Sequence, residues 1–172
     1  MLQVDGLSYR IGDNDILQGL SLSIQRGQFY ALAGENGAGK STLIKIVLDL
    51  IRNTDSGTVT IDGLDHKLIA ARNLLTYLPE KFDIKKEVTG WQYLKFVYGV
   101  YQQPINENKV LELCDQLGLD YERLNNKSNT YSKGMKQKLG LISCFMLDKP
   151  FIILDEPLSG LDPKARFHFK EL

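Results

Sequence analysis

The sequence predicts an α/β fold, with an antiparallel β subdomain near its start and an α-helical subdomain inserted into the core. Three observations carry this expectation. A fully apolar run, Phe29-Tyr30-Ala31-Leu32-Ala33, enters a glycine-rich loop and then a helical pattern without a break. A second apolar run, Phe151-Ile152-Ile153-Leu154, leaves through two carboxylates, Asp155 and Glu156. Between the two, from Phe82 to Leu147, the hydrophobic period is that of helices.

A chain of 172 residues suffices for one domain with its own core. Hydrophobic residues at 43% and charged residues at 24% exclude wholesale disorder, collagen-like repeats and a disulfide scaffold. Lysine plus arginine (21) balance aspartate plus glutamate (21), so no global field draws the chain to nucleic acid, and none is expected as a partner. The most apolar stretch, Leu139 to Leu147, is about half the ~20 residues of a membrane helix. The first residues show no charged segment followed by an apolar one, so the expected compartment is the cytoplasm. Cys114 and Cys144 fall in helical apolar patterns, which predicts buried free thiols.

Along the chain, Leu2, Val4 and Leu7 to Ile11 alternate as a strand, Gly12 to Asp15 turn, and Leu20 to Ile24 return antiparallel. Phe29 to Ala33 reads as a strand covered on both faces. Leu43, Ile44, Val47, Leu48 and Ile51 predict a helix over Ser41 to Ile51. Gly57 to Gly63 is a short strand closed by a turn, and Leu74 to Leu78 another, ended by Pro79. Thr89 with Gln92 forms a capping box for a first inserted helix. Asn106 caps a second, which Gly118 stops, and Ser132 caps a third. Phe151 to Leu154 reads as a buried parallel strand that delivers Asp155 and Glu156 at its carboxyl end, where open α/β sheets place ligands. Asp162 as N-cap and Pro163 at the first helical position open the final helix.

Gly34-Glu35-Asn36-Gly37-Ala38-Gly39-Lys40-Ser41 has the spacing G-x-x-x-x-G-K-[ST], in the strand-to-helix context that spacing requires. Glycines let successive backbone N–H groups turn toward phosphate oxygens, the helix start adds partial positive charge, and Lys40 reaches the β and γ phosphates. Ser41 offers a hydroxyl to Mg²⁺ and Thr42 one to a phosphate. In a nucleotide site, Asp155 would hold Mg²⁺ through water and Glu156 would orient and deprotonate the attacking water. The core is therefore of the P-loop NTPase type, with ATP and Mg²⁺ as its expected ligands. Tyr131-Ser132-Lys133-Gly134-Met135-Lys136-Gln137-Lys138 opens a further basic helix, whose free N–H groups suit a second approach to phosphate and which, taken alone, is also an ordinary capped helix.

GENGAGKST, YSKGMKQK, ILDEP and LSGLD, in this order, resemble the nucleotide-binding domain of ATP-binding cassette (ABC) transporters over nearly the whole chain. The resemblance implies one such domain over residues 1–172, with its core at about 1–80 and 148–172 and its helical subdomain at about 81–147. It implies a two-fold dimer, homomeric or heteromeric, in which each phosphate loop faces the partner's signature. YSKGM stands in the signature's place, where Ser132 and Gly134 match the residues that meet the γ-phosphate. Asp162 matches the loop that runs along the dimer seam. The resemblance also implies a separate transmembrane permease driven by ATP hydrolysis, and a place on the inner face of the membrane. The YLPE and YSKGMKQK forms lean toward the bacterial exporter branch. The other readings left open are a soluble ABC-type ATPase acting on ribosomes or DNA, and a nucleotide-dependent regulator without turnover.

Three departures from the family pattern define further expectations. Glu80, in Tyr77-Leu78-Pro79-Glu80, replaces the usual glutamine as the γ-phosphate and Mg²⁺ sensor; its oxygens can ligate magnesium, and a plain exposed acid is the other reading. The aromatic residue that stacks on adenine aligns with Ile11, so Tyr9, two residues earlier, is the substitute, with packing as the alternative. The family's switch histidine lies on a strand beyond Leu172, so the resemblance implies a C-terminally truncated cassette with weak hydrolysis alone. His168 is a surface or packing residue, and His66 carries no argument. Lys127, Lys133, Lys136 and Lys138 form a basic cluster around the signature, read as a solvated face or as steering for nucleotide. Trp91, Tyr93, Phe96, Tyr98 and Tyr101 either pack the helical core or dock a membrane subunit.

Overall fold

A computed structural model describes residues 1–35 and 37–169 of the chain. Its contacts fall into two compact units, Met1–Leu75 and Thr76–Leu172.

The first unit is built on a hairpin. Strand β1 (Leu2–Ile11) and strand β2 (Asn14–Ile24) are joined by the two-residue turn Gly12-Asp13, which sets Ile11 opposite Asn14. Strand β3 (Ser56–Ile61) pairs with the other edge of β1, and the two-residue β4 (Leu64–Asp65) completes an antiparallel sheet in the order β2-β1-β3-β4. Register makes this sheet one-sided. Leu2 stands opposite Ile24 and Ile61, and Val4 opposite Leu22 and Val59, so one apolar face is drawn from three strands while Gln3 and Asp5 stay exposed. Register shifts between Val4 and Arg10 mark bulges that bend β1.

Helix α1 (Lys40–Val47) buries Leu43, Ile46 and Val47. It stops four residues short of the predicted Ile51. Asp49 has a left-handed backbone, and the N–H groups of Leu50 and Ile51 both turn back to the carbonyl of Lys45. The buried Asp49 carboxylate then receives Arg72 at 2.7 Å, from the short helix α2 (Ile69–Arg72). His66 is also buried, with Nδ1 3.0 Å from the Val59 carbonyl oxygen.

The second unit begins within strand β5 (Leu75–Leu78) and continues through α3 (Gly90–Val100), α4 (Glu107–Leu117), two 3₁₀ turns (Tyr121–Asn125 and Ser128–Thr130) and α5 (Lys133–Phe145). Strand β6 (Phe151–Leu154) and α6 (Pro163–Phe169) follow. The predicted caps are present. Thr89 and Gln92 close a capping box, Asn106 accepts from Lys109 N, Ser132 from Met135 N and Asp162 from Ala165 N, and Gly118 ends α4 in the left-handed conformation. Every position of α5 from Gln137 to Cys144 is buried, which makes it the central helix of this unit. Leu94, Tyr98, Val110, Leu117, Leu124 and Leu139 pack into the same core. Cys114 and Cys144 are buried and free, and burial pushes their thiols up to about 12 and about 11.

Two strand expectations need correction. Phe29 to Ala33 belongs to neither sheet: it finds no ladder partner among the described residues, and Phe29 is 89% exposed. An apolar run becomes a buried strand only when neighbouring strands take its N–H and C=O groups, which periodicity alone cannot supply. Phe151 to Leu154 does form β6, but half-buried, because among the described residues β5 alone pairs with it and its Ile152 and Leu154 are what pack on the core. Most of the aromatic set packs too, Trp91, Tyr93, Tyr98 and Tyr101 against the core, whereas Phe96 stands 67% exposed.

Gly57 is the tightest point of the first unit. Its φ is +90°, and a Cβ there would lie 2.5 Å from both Cα and N of Leu7, whereas Gly63 at +81° has open space. Gly63→Ala is expected to cost about 1–2 kcal/mol for its left-handed backbone, and Gly57→Ala a further ~1–3 kcal/mol for overlap with β1. Urea denaturation of the two variants measures the difference, and equal losses would show that β1 yields.

Candidate functional site

In the first unit the glycine-rich loop runs into α1 through Gly39, the N-cap, at φ +83°. No side chain caps this helix, so the first N–H groups of α1 are left for an external acceptor. Only glycine fits the position: a Cβ would meet Leu17 Cδ2 at 2.8 Å and the Ile16 carbonyl oxygen at 2.9 Å, so the loop is pressed against β2. Lys40 curls back over the loop, its Nζ donating to the carbonyls of Gly34 at 2.5 Å and Glu35 at 2.7 Å. The ammonium thus sits inside the bend formed by its own loop. Gly34, Gly37, Ala38 and Ser41 are exposed around it and Thr42 is half-buried; Asn36 lies outside the described residues. Tyr9, half-buried on β1, pairs across the hairpin with Leu17, the residue that touches Gly39, while Ile11 sits at the hairpin tip, 56% exposed. The cross-strand register therefore sets Tyr9, rather than Ile11, opposite the residue that meets Gly39.

In the second unit, Asp155 N donates to Leu78 O at 2.9 Å, which sets the carboxyl ends of β5 and β6 side by side, as in a parallel pair. That pairing gathers acids at one end of the sheet. The Tyr77 hydroxyl is pushed above its ordinary range by burial and then by the negative charges of Asp155 and Glu80, so all three residues share one neighbourhood. Asp155 is half-buried, and Glu80 and Glu156 are exposed. Glu156 holds a left-handed backbone at φ +51°, a conformation a non-glycine residue adopts at a cost of about 1–2 kcal/mol.

Ser132 and Gly134 open α5 against the segment that follows Glu156. A Cβ on Gly134 would lie 2.8 Å from the Gly160 carbonyl oxygen, so the helix start and this segment touch through backbone. Gln137 Nε2 donates to Pro157 O at 3.1 Å, and Lys133 Nζ to Ser159 Oγ at 3.3 Å. Lys138, buried, donates to Gly118 O at 3.1 Å and to Asp162 Oδ2 at 2.8 Å, while the other oxygen of Asp162 caps α6.

Lys138 thus departs from the expected solvated basic face, on which Lys127 and Lys133 remain exposed. Lys127 pairs with Glu87, Lys136 with Asp83 and Lys138 with Asp162, so three of the four ammonium groups are spent on carboxylates of their own unit. Lys138 and Tyr77 were not legible as site residues. The nearest signal for Lys138 is its position at the head of the unbroken apolar run that follows it on α5.

The cradle with its lysine, on a strand-rich first unit, defines a P-loop nucleotide-binding protein. A family model described as ABC transporter matches residues 17–159. The chain is 35% identical to the uncharacterized ABC transporter ATP-binding protein YdbJ of Bacillus subtilis (strain 168), over 100% of this chain and 57% of that protein. It is 32% identical to the lantibiotic transport ATP-binding protein SrtF of Streptococcus pyogenes, over 100% of this chain and 73% of that one. The solved structure of an ATP binding subunit of an ABC transporter superposes with a TM-score of 0.87 at 32% identity, over 99% of this chain and 72% of that one. The chain belongs to the ABC transporter family. It spans little more than half the length of the YdbJ protein.

The hydrogen bond from Lys138, with that from Ala165 N, holds the Asp162 carboxyl down at about 2. A carboxyl depressed by folding contributes stability that is present above its unfolded value of about 3.9 and is lost as pH falls through the folded value. Lys138→Met is expected to move the Asp162 titration upward, followed by carboxyl chemical shift between pH 1.5 and 6, and to shrink the loss of stability between about pH 4 and 2. An unmoved titration would show that the helix cap alone depresses it.

Proposed function

We propose that this chain is the ATP-binding and ATP-hydrolysing subunit of an ABC transporter, acting at the cytoplasmic face of a membrane through a separate permease. The observation that carries this reading is the cradle from Gly34 to Thr42: an uncapped helix start closed by Gly39, with the Lys40 ammonium folded into its bend. Its exposed N–H groups and cation complement a triphosphate. Tyr9 would stack on the adenine, supported by its place opposite Leu17.

The donor types in each unit suit magnesium: Ser41 of the first has a hydroxyl, and Asp155 and Glu80 of the second, whose negative charges raise Tyr77, have carboxylate oxygens, all hard ligands. Mg²⁺ would neutralise the charge that develops on the transferred phosphoryl group. Glu156 is the general base. It follows the strand end that presents Asp155, and its exposed carboxylate orients a water and takes its proton.

Ser132 and Gly134 serve the site of a second cassette, of the same or another chain. Their N–H groups at the start of α5 lie beside the Pro157–Asp162 segment, so the surface offered to a partner is continuous. Within one cassette, residues 1–80 and 148–172 form the core and 81–147 the inserted helical subdomain. No helix among the described residues is long and apolar enough to cross a membrane. Export is the favoured direction, supported by the similarity to the SrtF lantibiotic transport protein.

Titration calorimetry with Mg-ATP is expected to give binding heat that Lys40→Ala weakens by at least about tenfold. Glu156→Gln is expected to keep the dissociation constant within about twofold and to slow hydrolysis about 100-fold or more. Wild-type affinity in Lys40→Ala, or wild-type turnover in Glu156→Gln, would overturn the corresponding assignment.

A further inference from the structure

The segment 81–88 leads from Glu80 to α3 with little regular structure of its own. Its backbone needs partners from elsewhere. Most of those come from one short stretch, Lys127 to Asn129, directly before the signature. Ser128 is fully buried; its N–H donates to Val88 O at 3.0 Å, and its hydroxyl to Lys85 O at 2.9 Å and Ile84 O at 3.4 Å. Asn129 N donates to Lys86 O at 3.2 Å, and Thr89 bridges Lys127 as in an antiparallel pair. Two ion pairs flank this seam, Lys127 with Glu87 at 2.6 Å and Lys136 with Asp83 at 2.8 Å.

On the other side the seam is joined to the signature without slack. Tyr131 N donates to Ser128 O at 3.0 Å, closing the 3₁₀ turn, and the next residue is Ser132, the cap of α5. Lys136 lies one turn into α5, and its partner Asp83 lies three residues after Glu80. The carboxyl of Asp83 is accordingly held below the ordinary range, by Lys136 first and by the N–H of Ile84 second.

We infer that Ser128 is a positioning residue that fastens the segment following Glu80 to the start of α5, so that Glu80 and the pair Ser132–Gly134 respond to nucleotide together. The inference rests on the roles given above to Glu80 and the signature. A serine filling space would need no partner beyond its own turn. This one sends its hydroxyl and its N–H to carbonyls of a single segment that has few hydrogen bonds of its own, and burial makes these bonds costly to lose.

Hydrogen–deuterium exchange on the full chain, with and without Mg-ATP, tests it, alongside calorimetry and steady-state hydrolysis. In the wild type, nucleotide is expected to slow exchange in 82–88 and in 128–135 together. In Ser128→Ala the response is expected to remain in 82–88 and to fall about fivefold or more in 128–135, with kcat down about fivefold and the Mg-ATP dissociation constant within about twofold. Lys136→Met, which removes a pair with an exposed carboxylate, is expected to do the same more weakly and carries the comparison should Ser128→Ala not fold. Coupled responses that persist in both variants, or bound nucleotide that leaves both wild-type segments unchanged, would overturn the positioning role. Failure of the wild type to bind Mg-ATP by calorimetry would overturn the nucleotide reading instead.

Discussion

A helix that begins on glycine leaves its first N–H groups without an acceptor, and the first unit is arranged around that deficit at Gly39. Serine, threonine or aspartate at the N-cap would satisfy one donor and close the site to an anion. Sterics close that option, since Leu17 and the carbonyl of Ile16 occupy the space of a Cβ. The same packing decides what else stands near the loop: Leu17 is fixed by its register in the hairpin, and the register brings Tyr9 across from it. A turn of two residues at Gly12-Asp13 thereby fixes which β1 residue stands opposite Leu17.

The second unit is held by a different kind of bond, in which the buried Lys138 and Ser128 find partners far away in sequence. Lys138 is surrounded by core, and its Nζ donates to Asp162 and to the Gly118 carbonyl. The buried Ser128 hydroxyl donates to carbonyls of the 84–88 segment, which has few hydrogen bonds of its own. These bonds run between stretches far apart in sequence, and each joins an element named in the proposed chemistry to one that carries it. The first turns of α5 reach the segment after Glu156 through Lys133 and Gln137 and the segment after Glu80 through Lys136.

Local signals were read well from sequence. The capping box at Thr89 and Gln92, the caps at Asn106, Ser132 and Asp162, the stop at Gly118 and the buried thiols all depend on neighbours within a few residues, so composition and spacing suffice. The glycine-rich loop before α1 was legible for the same reason, being a contiguous motif. The end of α1 was misjudged because the left-handed residue there is Asp49, where a glycine would have announced it. The strand at Phe29 to Ala33 was misjudged because apolar runs report a capacity for burial and say nothing of which strand lies alongside.

By itself, then, the chain determined its glycine-rich loop, its helix caps and the order of its motifs, since each arises from backbone geometry within one turn or loop. Only the tertiary structure decided which lysines are paired, which residue stands opposite Leu17 and how the segment after Glu80 is fastened to the start of α5. Those outcomes depend on bonds between residues tens of positions apart, and pairing at such separation is set by strand register and helix packing, for which a linear pattern holds no signal.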